Sequence, residues 1–332
     1  MKPETRARRN LTKRVGTGEM VDMQELVGVI LSAGKGSRID PFNAHWPKPL
    51  LPIGNRPIIG HHLDLFRGLG IRRSVLVVGH LMDRIINHFG RGEAEGLEIR
   101  YVEQQQTLGI AHAVGKAEPL VDGPILLCLG DIFYLTHGIS RLLERYKRGD
   151  VSAVLAVMDE PDVAAMRKNF SVEVGTDGYV SRVVEKPRSP TTRLKGCGIY
   201  LFGPEIFDAI RKTPRTALRD EYELTTSLQI LIDDGLKIAA ERVVDWDLNV
   251  TFPKDLLLGN LHWLLHSGKE CEVHPTARVS PDARVVRSVV GAGAVIPAGA
   301  VVEDSVVLPD TLVSAEEPLR RAICSPETVI RC

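Results

Sequence analysis

The stretch from residue 31 to residue 53 has the residue types and spacing needed to hold a polyphosphate. An apolar run that ends at Leu31 is followed by a small-residue turn with glycines at two positions, and Lys35, Arg38 and Lys48 add three cations. The backbone N–H groups of such a turn can converge on an anion. Lys48 stands between two prolines, which restrict the backbone on either side of it. The stretch therefore predicts an anion-binding loop in which Arg38 and Lys48 hold phosphate.

The glycine turn alone does not identify the ligand. It lacks the third glycine of the dinucleotide fingerprint GxGxxG, and it lacks the spacing of the P-loop. On the local pattern, a plain tight turn between a strand and a helix is an equally good interpretation.

A second group that could do chemistry follows the apolar run of residues 125–129, where the chain continues with Gly130 and Asp131. An aspartate at the carboxyl end of a buried strand is well placed to hold Mg²⁺ between phosphates. A Gly-Asp pair is also typical of a turn, so the metal interpretation depends on the strand lying beside the anion-binding loop.

These residues require a scaffold that brings several strand ends to one edge. From Val27 onward, short apolar strands alternate with amphipathic segments. The alternation predicts an α/β fold with a doubly wound, mainly parallel, Rossmann-like sheet over residues 27–268, and ligands bind such sheets at the carboxyl ends of the strands. The predicted strands are 27–31, 74–78, 99–102, 125–129, 153–157 and 199–202, and the predicted helices are 58–68, 83–89, 139–147 and 205–210.

A six-residue repeat begins at Val273. Aliphatic residues recur at about every sixth position up to residue 313, with one shortened unit at residues 285–289. The pattern is typical of a parallel β-helix and predicts a small hexapeptide-repeat β-helix over residues 273–313, with an irregular tail over residues 314–332. Because so short an array cannot stand alone, we expect it to pack on the preceding domain or on another subunit of a homo-oligomer.

The composition excludes several classes of function. Lys+Arg and Asp+Glu are both 42 in 332 residues, which gives no indication of a nucleic-acid partner or an anionic membrane partner. No apolar run is long enough to span a membrane. The five cysteines form no CxxC pair, which favours a cytoplasmic location over a disulfide framework. Residues 1–26 are polar and arginine-rich and are predicted to form a disordered or irregular extension.

Several segments, in order, resemble the motifs of the sugar nucleotidyltransferases (nucleotide-sugar pyrophosphorylases). The family pattern AGxGxRL, a spacer and PKPLLPI appears within residues 31–53 as AGKGSRI and PKPLLPI, and the family's strand–LGD element ends at Asp131. The resemblance implies the nucleotide-diphospho-sugar transferase fold with a C-terminal left-handed β-helix. Further matches are YVEQQQTLGIAHA at 101–113, VEKP at 184–187, GIY at 198–200, EYELT at 221–225 and NVTFPKDLL at 249–257.

The resemblance also implies a reaction. A sugar-1-phosphate and an NTP give an NDP-sugar and pyrophosphate, with Mg²⁺ as cofactor and no protein nucleophile. UTP or dTTP is favoured because the amide of Gln104 suits the edge of uracil or thymine, and glucose-1-phosphate is favoured by analogy with common members. The implied catalytic residues are Arg38, Lys48 and Lys186; the nucleotide-binding residues are Leu31, Ala33, Gly34, Lys35, Gly36, Ser37, Gln104 and Gly109; the sugar-binding residues are Gly130, Glu185, Gly198 and Glu223; and the metal ligands are Asp131 and Asn249.

Departures from the family pattern keep other interpretations open. Asn249 replaces a metal-binding aspartate, so Asp247, on the same side of an extended strand, is an alternative ligand. Ile132 replaces a frequent asparagine at a sugar contact, and Thr226 replaces an aspartate. The changes at Asn249 and Thr226 leave open a non-catalytic regulatory relative that binds nucleotide sugars. A mannose-1-phosphate guanylyltransferase is a second alternative. An acyltransferase in the β-helix is disfavoured because the repeat region contains a single histidine, His274.

Overall fold

The computed structural model describes residues 25–44, 46–216 and 220–332. The predicted extension over residues 1–26 therefore lies almost entirely outside the described residues. The strands of the first domain are β1 (Val27–Ser32), β2 (Pro52–Ile53), β3 (Arg56–Pro57), β4 (Arg73–Val78), β5 (Glu98–Glu103), β6 (Ile125–Leu129), β7 (Ile132–Thr136), β8 (Ala153–Asp159), β9 (Phe170–Val174), β10 (Val180–Glu185), β11 (Leu194–Phe202), β12 (Ile238–Arg242) and β13 (Val244–Asn249). The helices are α1 (Ile58–Gly68), α2 (Met82–Phe89), α3 (Ile110–Ala117), α4 (Ser140–Tyr146), α5 (Val163–Met166), α6 (Glu205–Lys212), α7 (Leu224–Asp233) and α8 (Pro253–Ser267).

A nine-stranded sheet forms the centre of this domain, with the order β10-β9-β11-β6-β1-β4-β5 and with β8 pairing both β11 and β12. Strands β6, β1, β4 and β5 are parallel. Strand β11 is antiparallel to both β6 and β8. The Rossmann-like fold class is confirmed, and the antiparallel β11 joins the parallel half of the sheet to the second half.

Helices cover both faces of the sheet, which explains why its strands are apolar throughout. One face packs Phe66 and Leu63 of α1 over the sheet. The opposite face packs Val114 of α3 and Leu228 of α7. Since both faces are buried, strands such as β1 and β6 show continuous apolar runs instead of an alternating pattern.

Asp131 and Asn249 are brought together by a separate two-stranded sheet. Strand β13 runs antiparallel to β7, and Asn249 pairs with Ile132 in its register. The backbone N–H of Val250 donates to the carbonyl oxygen of Asp131 over 3.1 Å. This pairing fixes the two predicted metal ligands side by side at the edge of the main sheet.

The C-terminal region is a parallel β-helix, as the six-residue repeat predicts. On one side, β14, β17, β20 and β22 stack in parallel, and their aligned residues Glu272, Val289, Val306 and Ile323 are seventeen residues apart. A seventeen-residue coil contains two six-residue units and one of five, which explains the shortened unit. The strands are β14 (Glu272–Val273), β15 (Arg278–Val279), β16 (Arg284–Val286), β17 (Val289–Val290), β18 (Val295–Ile296), β19 (Val301–Glu303), β20 (Val306–Val307), β21 (Leu319–Arg320), β22 (Ala322–Cys324) and β23 (Val329–Arg331).

The prediction of an irregular tail over residues 314–332 is wrong. Strands β21 and β22 pair in parallel with β19 and β20, and β23 turns back antiparallel to β22. The polar segment that precedes Leu319 interrupts the six-residue pattern, but Leu319 still aligns with Val302 one coil earlier. The repeat therefore continues after its sequence signal has been lost.

The β-helix packs on the first domain through apolar side chains. Val306, Leu308 and Ile323 belong to one buried cluster with Ile39 and Leu51, which flank the segment that carries Lys48. The Asn55 side chain also donates to the Val290 carbonyl over 2.9 Å. The β-helix thus supports the segment between the anion-binding loop and α1. Within the described residues, no helix has both the length and the hydrophobicity to cross a membrane.

We expect Leu308→Ala to destabilise the protein by about 2–5 kcal/mol, because Leu308 is fully buried between the β-helix and this segment. Urea-induced unfolding measures the change. Leu312→Ala is the matched control, since Leu312 is 71% exposed and should change stability by no more than about 0.5 kcal/mol. Equal effects of the two substitutions would contradict the packing described.

Candidate active site

Two adjoining cavities lie at the carboxyl ends of the parallel strands. The larger, of about 440 Å³, is lined by every residue predicted to bind nucleotide or metal, together with Arg38 and Lys48. The smaller, of about 190 Å³, is lined by Glu185, Lys186, Gly198 and Glu223. Asn249 lines both cavities. The structure therefore brings the predicted residues together in two adjoining groups, with one exception. Gly130, predicted to bind the sugar, lines neither cavity and instead packs against Leu31 and Ser32.

The loop after β1 forms one wall of the larger cavity. Gly36 has φ 61°, a left-handed conformation that glycine adopts without strain, and it precedes a single helical turn over Ser37–Ile39. Arg38 is exposed at this turn, with its guanidinium 6.0 Å from the centre of the Phe252 ring. The loop thus presents backbone N–H groups and a cation to the same space.

Lys48 occupies the centre of the site. Its ammonium donates to Asp131 Oδ2 over 2.7 Å and to Asn249 Oδ1 over 2.9 Å, and the residue is only 8% exposed. Thr251 Oγ1 donates to the same Asn249 oxygen over 3.0 Å. A carboxylate oxygen from the turn between β6 and β7 and an amide oxygen from the end of β13 therefore converge on one cation.

This arrangement is also the test of whether the site fits Mg²⁺. Oxygen ligands suit Mg²⁺, and the Lys48 ammonium already stands where a cation shared by Asp131 and Asn249 would bind. Among the residues that the structure describes, no group of three or more His, Cys, Asp or Glu could hold a metal ion. The two oxygens fit a cation that takes its other ligands from a bound substrate or from water.

The structure does not favour Asp247 as the alternative metal ligand. Asp247 Oδ1 accepts from the Lys195 ammonium over 2.6 Å, and Asp247 lines the smaller cavity only. Burial raises the pKa of Asp247, and the ammonium of Lys195 opposes that rise. Asp247 thus pairs with Lys195, whereas Asp131 and Asn249 share the ammonium of Lys48.

Gln104 is fixed at the far side of the larger cavity. It is 5% exposed, and its side-chain N–H groups donate to His112 Nδ1 over 2.9 Å and to the Gly109 carbonyl over 3.3 Å. Burial lowers the pKa of His112, which favours the neutral ring that can accept this bond. The amide oxygen of Gln104 is then the group free to accept from a ligand.

Gly109, one of the predicted nucleotide-binding residues, lies against a second backbone segment. Its φ is +110°, and a Cβ there would lie 2.5 Å from the Tyr222 carbonyl oxygen. Tyr222 stands between Glu221 and Glu223, which line the smaller cavity. The absence of a side chain at Gly109 thus lets the segment with these two glutamates approach the larger cavity.

Lys186 and Glu185 lie at the smaller cavity. Lys186 takes a left-handed φ of 45°, which is uncommon for a residue with a side chain, and its N–H donates to the Asn169 carbonyl over 2.8 Å. The Lys186 ammonium is 3.8 Å from Glu185 Oε1. An exposed cation thus stands at the cavity's rim beside a carboxylate.

Sequence reasoning missed two buried residues that support the site. His62 of α1 is fully buried and contacts the Ile132 carbonyl through Nε2 over 2.9 Å, next to Asp131. Lys195 lies in β11, where every residue is buried. A lysine in the middle of so apolar a strand was the signal that could have identified Lys195, whereas His62 looks like any helix residue.

A Rossmann-like sheet with a glycine loop, a strand-end aspartate and two adjoining cavities defines an α/β protein with room for two ligands side by side. The family model described as "Nucleotidyl transferase" matches residues 27–247. The chain belongs to this family, which confirms the resemblance seen in the motifs.

The relatives are proteins of the same kind. The chain is 34% identical over 236 residues to the low-salt glycan biosynthesis nucleotidyltransferase Agl11 of Haloferax volcanii, covering 70% of this chain and 64% of Agl11. It is 33% identical over 229 residues to the UTP–glucose-1-phosphate uridylyltransferase AglF of the same organism, covering 68% of this chain and 92% of AglF. The match thus spans less than two thirds of Agl11 and nearly all of AglF.

A solved structure supports the fold. A candidate glucose-1-phosphate thymidylyltransferase from Bacillus anthracis superposes with a TM-score of 0.65 at 23% identity, covering 72% of this chain and 95% of that one. At this identity the likeness concerns the fold.

We expect His62 to make stability depend on pH. Burial lowers the pKa of His62 from 6.5 to about 4, so below pH 6.5 the unfolded chain takes up a proton that the folded chain does not. The free energy of unfolding should therefore fall, by up to about 1.4 kcal/mol per pH unit from this group, as the pH falls from 6.5 towards 4.

Urea unfolding of the wild type and of His62→Gln at several pH values measures this contribution. Glutamine can still donate to the Ile132 carbonyl but does not titrate, so the variant should lose stability less steeply over this range. His266→Gln, at an exposed position, serves as the control. Identical slopes for His62→Gln and the wild type would refute the assignment.

Proposed function

We propose that this chain is a sugar-1-phosphate nucleotidyltransferase that joins glucose-1-phosphate to UTP or dTTP, giving an NDP-sugar and pyrophosphate. The observation that carries the proposal is that the two cavities adjoin at Asn249, whose amide oxygen shares the Lys48 ammonium with Asp131. A nucleotide in the larger cavity and a sugar phosphate in the smaller one would place the reacting groups at that centre. Family membership and the reaction named for AglF support the same activity.

The reaction needs positioning and charge neutralisation. An oxygen of the sugar-1-phosphate attacks the α-phosphorus, a new P–O bond forms, and the bond to the β-phosphate oxygen breaks, so pyrophosphate leaves with the bonding electrons. No protein nucleophile takes part. Holding the two substrates in line and spreading the phosphate charge provide the rate enhancement.

Each cation of the site has a separate task in this reaction. Arg38, exposed on the glycine loop, holds the departing β- and γ-phosphates. Lys186, at the rim of the smaller cavity, holds the phosphate of the sugar. Lys48 lies between them and neutralises charge at the α-phosphate.

Asp131 and Asn249 would hold Mg²⁺, which when bound neutralises phosphate charge. These are the two oxygens that Lys48 contacts in this structure, so the Lys48 ammonium exchanges them for phosphate oxygens when the substrates bind. The pairing of Asn249 with Ile132 and the hydrogen bond from the Val250 N–H to the Asp131 carbonyl hold both residues in place, so their oxygens need not move.

Base selection follows from the orientation of Gln104. Because its N–H groups are committed to His112 and Gly109, its oxygen can accept from the ring N3–H of uracil or thymine. Cytosine carries no hydrogen at N3 and offers only its N4 amino group, whereas guanine offers an N1–H, so GTP is included in the test below. This is our reason for naming UTP or dTTP.

Four further features belong to the proposal. The β-helix is a hexapeptide-repeat module, and the protein is a homo-oligomer. Five free cysteines, three of them buried, suit a reducing cytoplasm. The partners are an NTP and a sugar-1-phosphate, with no nucleic acid and no membrane.

The test is pyrophosphate release by the full chain with Mg²⁺ and a panel of NTPs against glucose-, mannose-, galactose- and glucosamine-1-phosphate. We expect the highest rate with UTP or dTTP and glucose-1-phosphate. Preference for GTP with mannose-1-phosphate would identify a guanylyltransferase instead. Absence of release with every pair would identify a non-catalytic relative.

We expect Arg38→Ala to lower kcat by about 10²–10³-fold without lowering the thermal unfolding temperature, because Arg38 is exposed and holds charge in the transition state. Steady-state kinetics and thermal denaturation measure the two effects. Arg100→Ala removes another exposed arginine away from both cavities and should leave kcat unchanged. Unchanged turnover in Arg38→Ala would remove Arg38 from the mechanism.

A further inference from the structure

A buried group of three charges lies behind the smaller cavity. Lys195 is 4% exposed, and its ammonium lies 2.6 Å from Asp247 Oδ1 and 3.4 Å from Glu160 Oε2. The Asp247 and Glu160 side chains are 10% and 14% exposed. One ammonium is thus shared by two carboxylates, which leaves one negative charge in excess.

Such a group is a costly way to stabilise a fold. Removing charges from water costs several kcal/mol for each ion, and an apolar replacement of the same volume is often equally stable. The neighbouring positions on β11 are apolar or glycine, so the strand could have accommodated an apolar residue at position 195. The position of the group relative to the cavity offers a better explanation.

Only one of the three residues reaches the cavity. Asp247 lines the smaller cavity, whereas Lys195 and Glu160 are not part of its wall. Lys195 therefore fixes the Asp247 carboxylate from behind, and the face of Asp247 that meets the cavity can accept a hydrogen bond. The pKa of Lys195 is raised, since its two carboxylate neighbours outweigh the effect of burial, so the lysine stays charged as an anchor.

Among the residues that the structure describes, acidic side chains in the wall of the smaller cavity outnumber basic ones. Glu185, Glu221 and Glu223 line it with Asp247, and the described cations there are Lys168 and Lys186. Lys168 is exposed, and Lys186 lies at the rim, where we place the sugar's phosphate. Lys195, the buried cation, is already neutralised. The sugar ring therefore meets an acidic wall.

We propose that Asp247, held in place by Lys195, is a specificity-determining residue that accepts a hydrogen bond from a hydroxyl or amino group of the sugar and rejects sugars that carry a carboxylate. The inference rests on the proposed function, because it assigns the sugar to the smaller cavity. It selects neutral and cationic sugar-1-phosphates over uronic acid phosphates.

Equilibrium binding tests this independently of turnover. Glucose and glucuronate differ only in a CH₂OH group against a carboxylate, so titration calorimetry of the full chain with UDP-glucose, UDP-glucuronate and UTP isolates the sugar contribution. We expect UDP-glucose to bind at least 100-fold more tightly than UDP-glucuronate. Asp247→Asn should weaken the binding of UDP-glucose about tenfold and leave the affinity for UTP unchanged. The ratio of the affinities for UDP-glucose and UDP-glucuronate should fall to less than tenfold.

Matched variants separate this role from a structural one. Asp245→Asn makes the same change two residues earlier on β13, at a side chain that pairs with His137 outside the cavity, and should change none of the three affinities. If Asp247→Asn unfolds because Lys195 has lost a partner, the double variant Lys195→Met/Asp247→Asn removes the ammonium as well. The comparison of UDP-glucose with UDP-glucuronate binding to the wild type tests the inference whether or not Asp247→Asn folds.

Turnover distinguishes failure of this inference from failure of the proposed function. In the same preparations, KM for glucose-1-phosphate should rise about tenfold in Asp247→Asn while KM for UTP stays constant. No pyrophosphate release, with the expected binding preference, would overturn the proposed function and leave the inference intact. Equal binding of the two sugar nucleotides, or unchanged affinities in Asp247→Asn, would overturn the inference.

Discussion

The site depends on the contact of one ammonium with two oxygens. Lys48 joins Asp131 and Asn249, which are 83 and 201 residues away in the sequence. The contact ties the segment after the glycine loop to the end of β6 and to the end of β13. Because Lys48 is nearly buried, the loss of either oxygen would leave its charge poorly compensated. Of the three residues, Lys48 and Asp131 line the larger cavity, and Asn249 lines both cavities.

The β-helix contributes to the same contact from a distance. Leu308 and Ile323 pack in one cluster with Ile39 and Leu51, which lie on either side of Lys48 in the chain. Between Ile39 and Leu51, the described residues form short helical turns, which supply few hydrogen bonds to hold the segment in place. Packing of this segment against the stacked coils of the β-helix holds it in place instead. A β-helix too short to be independent thus has a role in positioning the site.

Much of the site could be predicted from the sequence because its residues follow strands. The glycine loop follows β1 and Asp131 follows β6, and adjacent parallel strands bring their ends to one edge. What could not be predicted depended on side-chain partners far apart in the chain. In the sequence, both Asp247 and Asn249 are candidates for the second metal ligand. The structure distinguishes them because Asp247 pairs with Lys195, which lies on another strand. The continuation of the β-helix past residue 314 was missed because the repeat that matters is seventeen residues long, and its six-residue signal fades.

An amide at position 249, where the motif resemblance implies a metal-binding aspartate, changes the charge of the centre. With Asp131 as the one carboxylate, the three side chains of Lys48, Asp131 and Asn249 together are neutral. A divalent cation would receive only one negative charge from these two residues, and its remaining charge would have to be met by phosphate oxygens. The triphosphate is also the partner that Lys48 needs once it leaves the two oxygens. Cation and nucleotide are therefore expected to bind together, with Lys48 exchanging one set of oxygens for the other.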